Sequence, residues 1–202
     1  MKTEEVYELT TRGGASDFAT VVEICRRLGP YCLVGGLAVN CYVEPVYTLD
    51  ADFVVIAAQH QALKRTLAQS GFAVEEFPHS VNAQAPQSEL RIQFSSDPRY
   101  QPFLDRAQEK QVLGVRVRVA SLEDIVQGKL WVYLDPQRRL TRRKKDELDL
   151  LRLAEAYPHL RQLYPRELQK QMDGSAGAQP ISMARAWRPA LGRRRPLPHR
   201  AP

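Results

Sequence analysis

The sequence predicts an α/β (α+β) domain, in which a small mixed β-sheet is flanked by helices, followed by a helical C-terminal part and a disordered tail. Three observations lead to this prediction. Short apolar runs typical of strands alternate with segments of helical periodicity up to about residue 120. Helical segments with start and stop signals follow, up to about residue 172. The remaining residues are rich in Pro and Arg and lack apolar periodicity.

The first third of the chain predicts a helix, a strand and a glycine turn in direct succession. Residues 16–28 place apolar side chains at helical spacing, and Gly29 and Pro30 end that helix. The short apolar run 31–34 meets two glycines, which predicts a buried strand and a tight turn. The elements predicted next are a helix over 37–42, a strand over 52–57, a polar-faced helix over 59–70 and a strand over 72–77.

Prolines, alternation and capping signals divide the rest of the chain. The elements predicted there are a loop over 78–88, a strand over 89–95, an irregular connection over 97–104 and a strand over 112–119. Ser121 and Asp124 resemble a capping box that opens a helix ending at Leu134, before Pro136. Two further helices are predicted over about 142–156 and 159–171.

The length suits one domain with an extension, and the charge is unevenly placed. The expected limits are a domain over 1–172, with its sheet core at about 16–120 and its C-terminal helices at about 121–172, and a disordered Pro/Arg-rich tail over 173–202. Residues 174–202 hold six arginines and no acid, and the rest of the chain is therefore neutral although the whole carries +6. The basic balance is thus a poor indication that the core binds nucleic acid.

The cysteines and the apolar runs argue against several classes of protein. The three cysteines form no C-x-x-C pair and have no histidine at metal spacing, which indicates reduced thiols in a cytoplasmic protein. The first residues are acidic and lack an apolar segment, so we expect no secretory signal. The longest apolar run, 31–39, falls far short of the roughly 20 residues that a membrane helix needs, and we expect no membrane association.

Asp50 and Asp52 stand one residue apart at the start of the most apolar strand. Side chains at positions i and i+2 of a strand lie on one face, about 7 Å apart at the backbone. That separation suits two carboxylates meeting on one hard cation such as Mg²⁺, which keeps open positions for phosphate oxygens. The other interpretation is a pair of solvated acids in a turn.

Gly35 and Gly36 lie between a predicted strand and the start of a helix. Free backbone N–H groups at such a position favour phosphate. The other interpretation is a tight turn that needs positive φ. The pair is not a Walker A loop, because no G-K-[ST] follows it.

Lys129 lies on the apolar stripe of its predicted helix. A lysine there is costly unless its charge meets an anion, although its ammonium group can also extend to solvent. Asp146 and Asp149 share one face of the next helix with leucines, and Lys129 is a possible partner for them. The cations beside them, among them Lys145, form either a solvated face or a site for phosphate or a nucleic-acid backbone.

In this order the motifs resemble the nucleotidyltransferase superfamily that includes DNA polymerase beta, and most closely its AbiEii-like branch of type IV toxin nucleotidyltransferases. The first motif is LVGGLAVNCYVEPVYTLDADFVV, over 33–55. The second is VASLEDIVQGKL, over 119–130, followed on the next helix by K-D-x-x-D. The resemblance covers about 20–165 and implies the fold of that superfamily, a small mixed sheet flanked by helices.

The resemblance also implies a role for each candidate residue. The implied catalytic residues are Asp50, Asp52, Lys129, Asp146 and Asp149, of which Asp50 and Asp52 would hold Mg²⁺ and the triphosphate. The implied nucleotide-binding residues are Gly35, Gly36, Lys129 and Lys145. The glycines would cradle the β- and γ-phosphates, Lys129 would meet a phosphate, and one of the two later aspartates would be the distal acid that this branch retains.

Three positions depart from the family pattern. Leu37 stands where the family often has Ser or Thr, and Val46 stands where an arginine commonly precedes the D-x-D. Gln93 lies where many relatives carry a third carboxylate that activates the acceptor hydroxyl, and a neutral amide is not a general base. Glu89 or Asp97 could substitute for it.

The resemblance implies a Mg²⁺-dependent enzyme that transfers a nucleoside monophosphate from an NTP to an acceptor hydroxyl or phosphate. The acceptor would be tRNA, a protein or a small molecule, and the enzyme would be the toxin of a toxin–antitoxin pair, with an antitoxin as partner. The alternative is a non-catalytic nucleotide-binding or protein-interaction module on the same fold. A third interpretation is an RNA binder that acts through its basic tail.

Overall fold

The structure is a computed structural model that describes residues 3–175. The chain divides into a compact unit ending at Tyr164 and a second unit from Pro165 onwards. The described part of the second unit is a helix, Arg166–Ser175, whose Gln169 amide donates a hydrogen bond to the Pro165 carbonyl. The disordered tail predicted over 173–202 lies, beyond Ser175, outside the described residues.

Helices and strands interleave along the first unit. The helices are α1 Thr3–Thr11, α2 Gly14–Leu28, α3 Gly35–Val39, α4 His60–Gln69, α5 Phe103–Arg106, α6 Leu122–Tyr133 and α7 Leu140–Ala156, and the helix of the second unit is α8. The strands are β1 Tyr31–Val34, β2 Asp50–Val55, β3 Ala73–Phe77, β4 Ser80–Gln84, β5 Arg91–Ser95, β6 Gln108–Val112 and β7 Val115–Val119. Short 3-10 turns occur at Ala57–Gln59, Pro98–Tyr100 and Pro158–Leu163.

The strands form one seven-stranded mixed sheet in the order β3-β4-β5-β2-β1-β7-β6. β2 pairs with β1 antiparallel and with β5 parallel, and β1 pairs with β7 parallel. The remaining neighbours pair antiparallel. This mixed sheet with flanking helices confirms the predicted fold class.

The middle strand, β2, has one face in the core and one face at a cleft. Phe53 is buried on the first face, where its ring lies 5.9 Å from Phe18 of α2 and 5.5 Å from Phe94 of β5. Because side chains alternate along a strand, Asp50 and Asp52 lie on the opposite face. The apolar pattern of the strand therefore fixes which way the two acids point.

Several predicted elements are confirmed with small changes of boundary. β1 has the predicted bounds, and α6 begins at the predicted cap, where the Asp124 amide donates to the Ser121 hydroxyl at 3.2 Å. α3 begins at the glycines themselves, two residues earlier than predicted. The helix predicted over 159–171 is wrong as one segment, because Pro165 separates a 3-10 turn from α8.

The predicted loop over 78–88 is wrong, because it contains β4. The strand forms a tight hairpin with β3, in which Phe77 pairs with Ser80. Val81 and Ala83 are its buried side chains. The segment alternates polar and apolar residues as a half-buried strand does, but it is short and is flanked by Pro78 and Pro86, which favour a loop.

The single strand predicted over 112–119 is also wrong. The chain turns at Leu113 and Gly114, whose φ angles are 46° and 77°, and this turn joins β6 to β7. β6 is polar in sequence, and its pairing with β7 stabilises it. Within residues 3–175, no helix is long and apolar enough to span a membrane.

Candidate functional site

The glycine turn and the two aspartates of β2 meet at one place. Val34, the last residue of β1, pairs with Asp52. Gly35 follows with a φ of +68°, and a Cβ atom on it would overlap the Asp52 carboxylate. A Cβ on Gly36 would lie 3.4 Å from the Thr48 hydroxyl. The structure therefore brings together the glycines and acids that the sequence singled out.

We expect Gly35→Ala to destabilise the protein more than Gly71→Ala, and to weaken Mg²⁺-dependent NTP binding. Both glycines have positive φ, but a Cβ at Gly71 meets no atom within 4 Å. The control variant therefore measures backbone strain alone, about 1 kcal/mol. Thermal unfolding and nucleotide titration of both variants test this, and equal losses of stability and binding would contradict a close approach at Gly35.

Three cations surround Asp50. Its Oδ1 lies 2.8 Å from Arg91, and its Oδ2 lies 3.0 Å from Arg142 and 3.5 Å from Lys145. Burial raises the pKa of Asp50, but Arg91, Lys145 and Arg142 outweigh it and hold the pKa below its ordinary value. Lys145 also donates to the Thr48 hydroxyl at 3.2 Å. Two cations of α7 thus lie at the site, and their side chains also remain exposed to solvent.

Asp52 has a different environment, because within the described residues no hydrogen bond or ion pair reaches its carboxylate. Burial raises its pKa, with Asp50 adding to the effect and Lys129 opposing it. Mg²⁺ commonly takes one or two carboxylates from a protein and leaves its other positions to water and phosphate. The two acids of β2 fit such an ion by donor type and by their common face. Residues 3–175 contain no group of three or more His, Cys, Asp and Glu side chains that could hold a metal.

Lys129 is buried, with only 7% of its surface exposed, and its charge is met by two acids of α7. Its Nζ lies 2.9 Å from Asp146 Oδ1 and 2.7 Å from Asp149 Oδ2. Burial lowers the pKa of Lys129, but Asp149 and Asp146 outweigh it and raise the pKa. Two arginines complete the group: Arg138 lies 2.8 Å from Asp146 Oδ2, and Arg152 lies 2.9 Å from Asp149 Oδ1. The partnership of Lys129 with the two acids is thus observed, and extension to solvent is not.

Two cavities adjoin this group of charges. The larger is an open cleft of about 520 Å³ over β2, β5, β4 and β3, and the smaller, of about 290 Å³, lies against α5 and α6. The residues that line both cavities are Asp52, Gln93, Lys129, Arg138 and Asp146. Polar and charged side chains dominate the larger cleft, which suits a charged, hydrophilic ligand.

The expected position of a third carboxylate is occupied by an amide. Gln93 of β5 pairs in register with Asp52. Glu89 is partly exposed and lies 3.9 Å from Arg12, away from both cavities. Asp97 lines the smaller cavity, where Arg99 binds its carboxylate at 2.7 Å.

Sequence reasoning missed three side chains at the site. Alternation in β5 places Arg91 and Gln93 on one face, but only the pairing with β2 shows that this face meets Asp50. Asn82 of β4 pairs with Gln93, and its Oδ1 is buried with no hydrogen-bond partner within the described residues. Arg138 lies in the connection between α6 and α7, where no periodic signal could reveal it.

Two solved structures similar to this chain are of proteins associated with nucleotidyl transfer. A crystal structure of ANT(2'')-Ia in complex with adenylyl-2''-tobramycin has a TM-score of 0.51 at 14% identity, with 79% of this chain and 95% of that chain covered. An antigenic nucleotidyltransferase-like protein from Paracoccidioides brasiliensis has a TM-score of 0.51 at 17% identity, with coverage of 82% and 88%. At these identities the likeness shows the fold alone. No curated protein matches the chain.

A family model, that of the nucleotidyl transferase AbiEii toxin of type IV toxin–antitoxin systems, matches residues 30–198. The match includes the glycine turn, the D-x-D of β2 and the Lys129 group, and it extends over more than half of the chain. The fold, the arrangement of the motifs and this match agree, and the chain belongs to the AbiEii family of nucleotidyl transferases.

Proposed function

We propose that the protein is a Mg²⁺-dependent enzyme that transfers a nucleoside monophosphate from an NTP to an acceptor and releases pyrophosphate. The open carboxylate of Asp52, beside the close approach of Gly35, carries the proposal. A partly buried acid that no described protein group pairs with is costly unless a ligand compensates it. A cation at this point would compensate it and would also attract a triphosphate.

In this proposal Asp50 and Asp52 hold Mg²⁺, which supplies charge neutralisation at the phosphates. The N–H groups of Gly35 and Gly36 bind the β- and γ-phosphates in this proposal, and the lack of side chains lets the turn approach Asp52 and Thr48 closely. Lys145 lies beside Asp50 and neutralises phosphate charge once the acid binds the ion.

Lys129 acts as the buried cation of the site, since it lines both cavities. Asp146 and Asp149 act as positioning residues, because their ion pairs hold the ammonium group in place. A fixed charge of this kind stabilises developing charge without reorganisation during the reaction.

The acceptor would be tRNA, a protein or a small molecule. A toxin role, with an antitoxin as partner, rests on the family match. Induced expression is then expected to arrest growth, and Asp50→Asn is expected to restore it while the protein still accumulates. Growth arrest by the variant would contradict a toxicity that depends on transfer.

The enzyme is tested with each α-labelled NTP, Mg²⁺ and bulk tRNA or cell lysate. We expect label transfer from at least one NTP, and a loss of roughly 10²-fold or more in Asp50→Asn, because several kcal/mol of charge stabilisation disappear. Asp105→Asn, an exposed acid of α5, serves as the matched control and should transfer normally. Mg²⁺-dependent NTP binding without transfer would instead favour a non-catalytic nucleotide-binding module.

A further inference from the structure

The order of the strands decides from which side an acceptor reaches the α-phosphate, provided that the proposed function holds. β2 lies between β1, which leads into the glycine turn, and β5. In phosphoryl-group transfer the attacking and leaving oxygens lie roughly in line, on opposite sides of the phosphorus. Pyrophosphate departing over Gly35 and Gly36 therefore requires an acceptor that approaches over β5.

The β5 side of the cleft carries no acid close to Asp52. Register places Gln93, Asn82 and Glu75 in one row across β5, β4 and β3, beginning at Asp52. The first two are amides, and Glu75 is three strands away from β2, about 14 Å at a spacing of about 4.8 Å. No side chain of this row is therefore placed to take a proton from an attacking hydroxyl at Asp52.

The other acids that line the two cavities near this point are already held by cations. Lys129 and Arg138 bind one oxygen each of Asp146. Hydrogen bonds from Arg99 lower the pKa of Asp97, which makes its carboxylate a weak base. A hydroxyl acceptor thus lacks a general base, whereas an acceptor that is already ionised needs none.

We propose that the attacking group is an ionised oxygen of a phosphate monoester. Arg91 of β5 and Arg142 of α7 line the cleft on this side and favour an anion there. Sugar phosphates and the phosphorylated end of an RNA share this chemistry.

The reaction then balances without proton transfer. A phosphate oxygen of the acceptor forms a bond to the α-phosphorus, and the bond from the α-phosphorus to the oxygen that bridges to the β-phosphate breaks. The bridging oxygen leaves with the electron pair as part of pyrophosphate. The product is a phosphoanhydride between the acceptor phosphate and the nucleoside monophosphate.

The first test compares matched acceptors with the full chain, Mg²⁺ and each α-labelled NTP. One arm uses an oligoribonucleotide with a 5′-phosphate or a 5′-hydroxyl, and the other uses ribose 5-phosphate, glucose 1-phosphate or the unphosphorylated sugars. We expect labelling only of phosphorylated acceptors. The arm that becomes labelled shows whether the acceptor phosphate belongs to an RNA end or to a sugar phosphate. The label in the product should resist phosphatase. An enzyme that cleaves nucleotide phosphoanhydrides should release it as nucleoside monophosphate. Equal labelling of hydroxyl acceptors, or no labelling of the phosphorylated ones, overturns the inference.

The second test is Gln93→Glu, which places a carboxylate beside Asp52. We expect transfer to the phosphorylated acceptor to fall at least about tenfold by charge repulsion, with the Kd for Mg²⁺–NTP changed less. An increase in transfer overturns the inference, because added base strength helps only a protonated nucleophile. If the unaltered protein shows no Mg²⁺-dependent NTP binding, the proposed function itself is refuted, and the inference with it.

Discussion

Asp52→Asn is expected to raise the stability of the metal-free protein while it abolishes nucleotidyl transfer. The Asp52 carboxylate is partly buried without a hydrogen bond or ion pair from the described residues, and desolvation raises its pKa above the ordinary value of 3.8. An amide of the same shape removes the cost of that charge. Each kcal/mol gained corresponds to roughly 2–4 °C in Tm at this chain length.

The pH dependence of this gain follows from the direction of the pKa shift. A carboxyl group whose pKa is raised in the folded state stabilises the fold below its unfolded pKa, and that stability is lost as pH rises through the folded pKa. The advantage of Asp52→Asn should therefore be present at neutral pH and vanish below about pH 4, where both side chains are neutral.

Thermal unfolding from pH 3 to 8, with and without Mg²⁺, measures the effect. Mg²⁺ should raise the Tm of the unaltered protein and leave that of Asp52→Asn unchanged. The exposed acid of α5 again supplies the control, since Asp105→Asn should respond to Mg²⁺ like the unaltered protein. A destabilised Asp52→Asn at neutral pH would contradict the description of this carboxylate.

Lys129→Met is expected to produce the largest loss of stability. The substitution nearly keeps the length of the side chain but removes the cation that the buried acids Asp146 and Asp149 share. Each acid then keeps a single arginine, Arg138 for Asp146 and Arg152 for Asp149. Removing one partner of a buried pair costs about 3–5 kcal/mol, a Tm decrease of roughly 10 °C at this length. Thermal or urea unfolding measures the change.

Arg27→Met provides the control for this substitution. Arg27 pairs with Glu23 at 3.0 Å, but both side chains are largely exposed, so its removal should cost at most about 1 kcal/mol. Adding Asp149→Asn to Lys129→Met should recover part of the loss, because it removes one of the two buried negative charges that faced Lys129. Equal effects of Lys129→Met and Arg27→Met would refute a buried charge cluster.

The sequence pattern alone predicted those parts of the site that are formed by residues close to one another along the chain. β1, the glycine turn and β2 form a local antiparallel pair, and the spacing of apolar residues orients both acids. The apolar stripe of α6 likewise placed Lys129 on the inner face of its helix, but it left open whether the ammonium group extends to solvent; the structure buries it. Such features follow from periodicities of two and 3.6 residues.

Long-range pairing was not accessible in the same way. Arg91 meets Asp50 only because β5 lies parallel to β2, and nothing local specifies that neighbour. β4 was missed although its residues alternate between polar and apolar, because the segment is short and two prolines flank it. Its pairing with β3 and β5 stabilises it as a strand.

The three cations around Asp50 neutralise its carboxylate when no divalent ion is bound there. In the absence of a divalent ion, Arg91, Arg142 and Lys145 act as internal counterions for that carboxylate. When Mg²⁺ takes their place in the proposed mechanism, their charges become available to the anionic nucleotide and to the anionic acceptor. Because thermodynamic coupling is reciprocal, the ion and the nucleotide must each tighten the binding of the other.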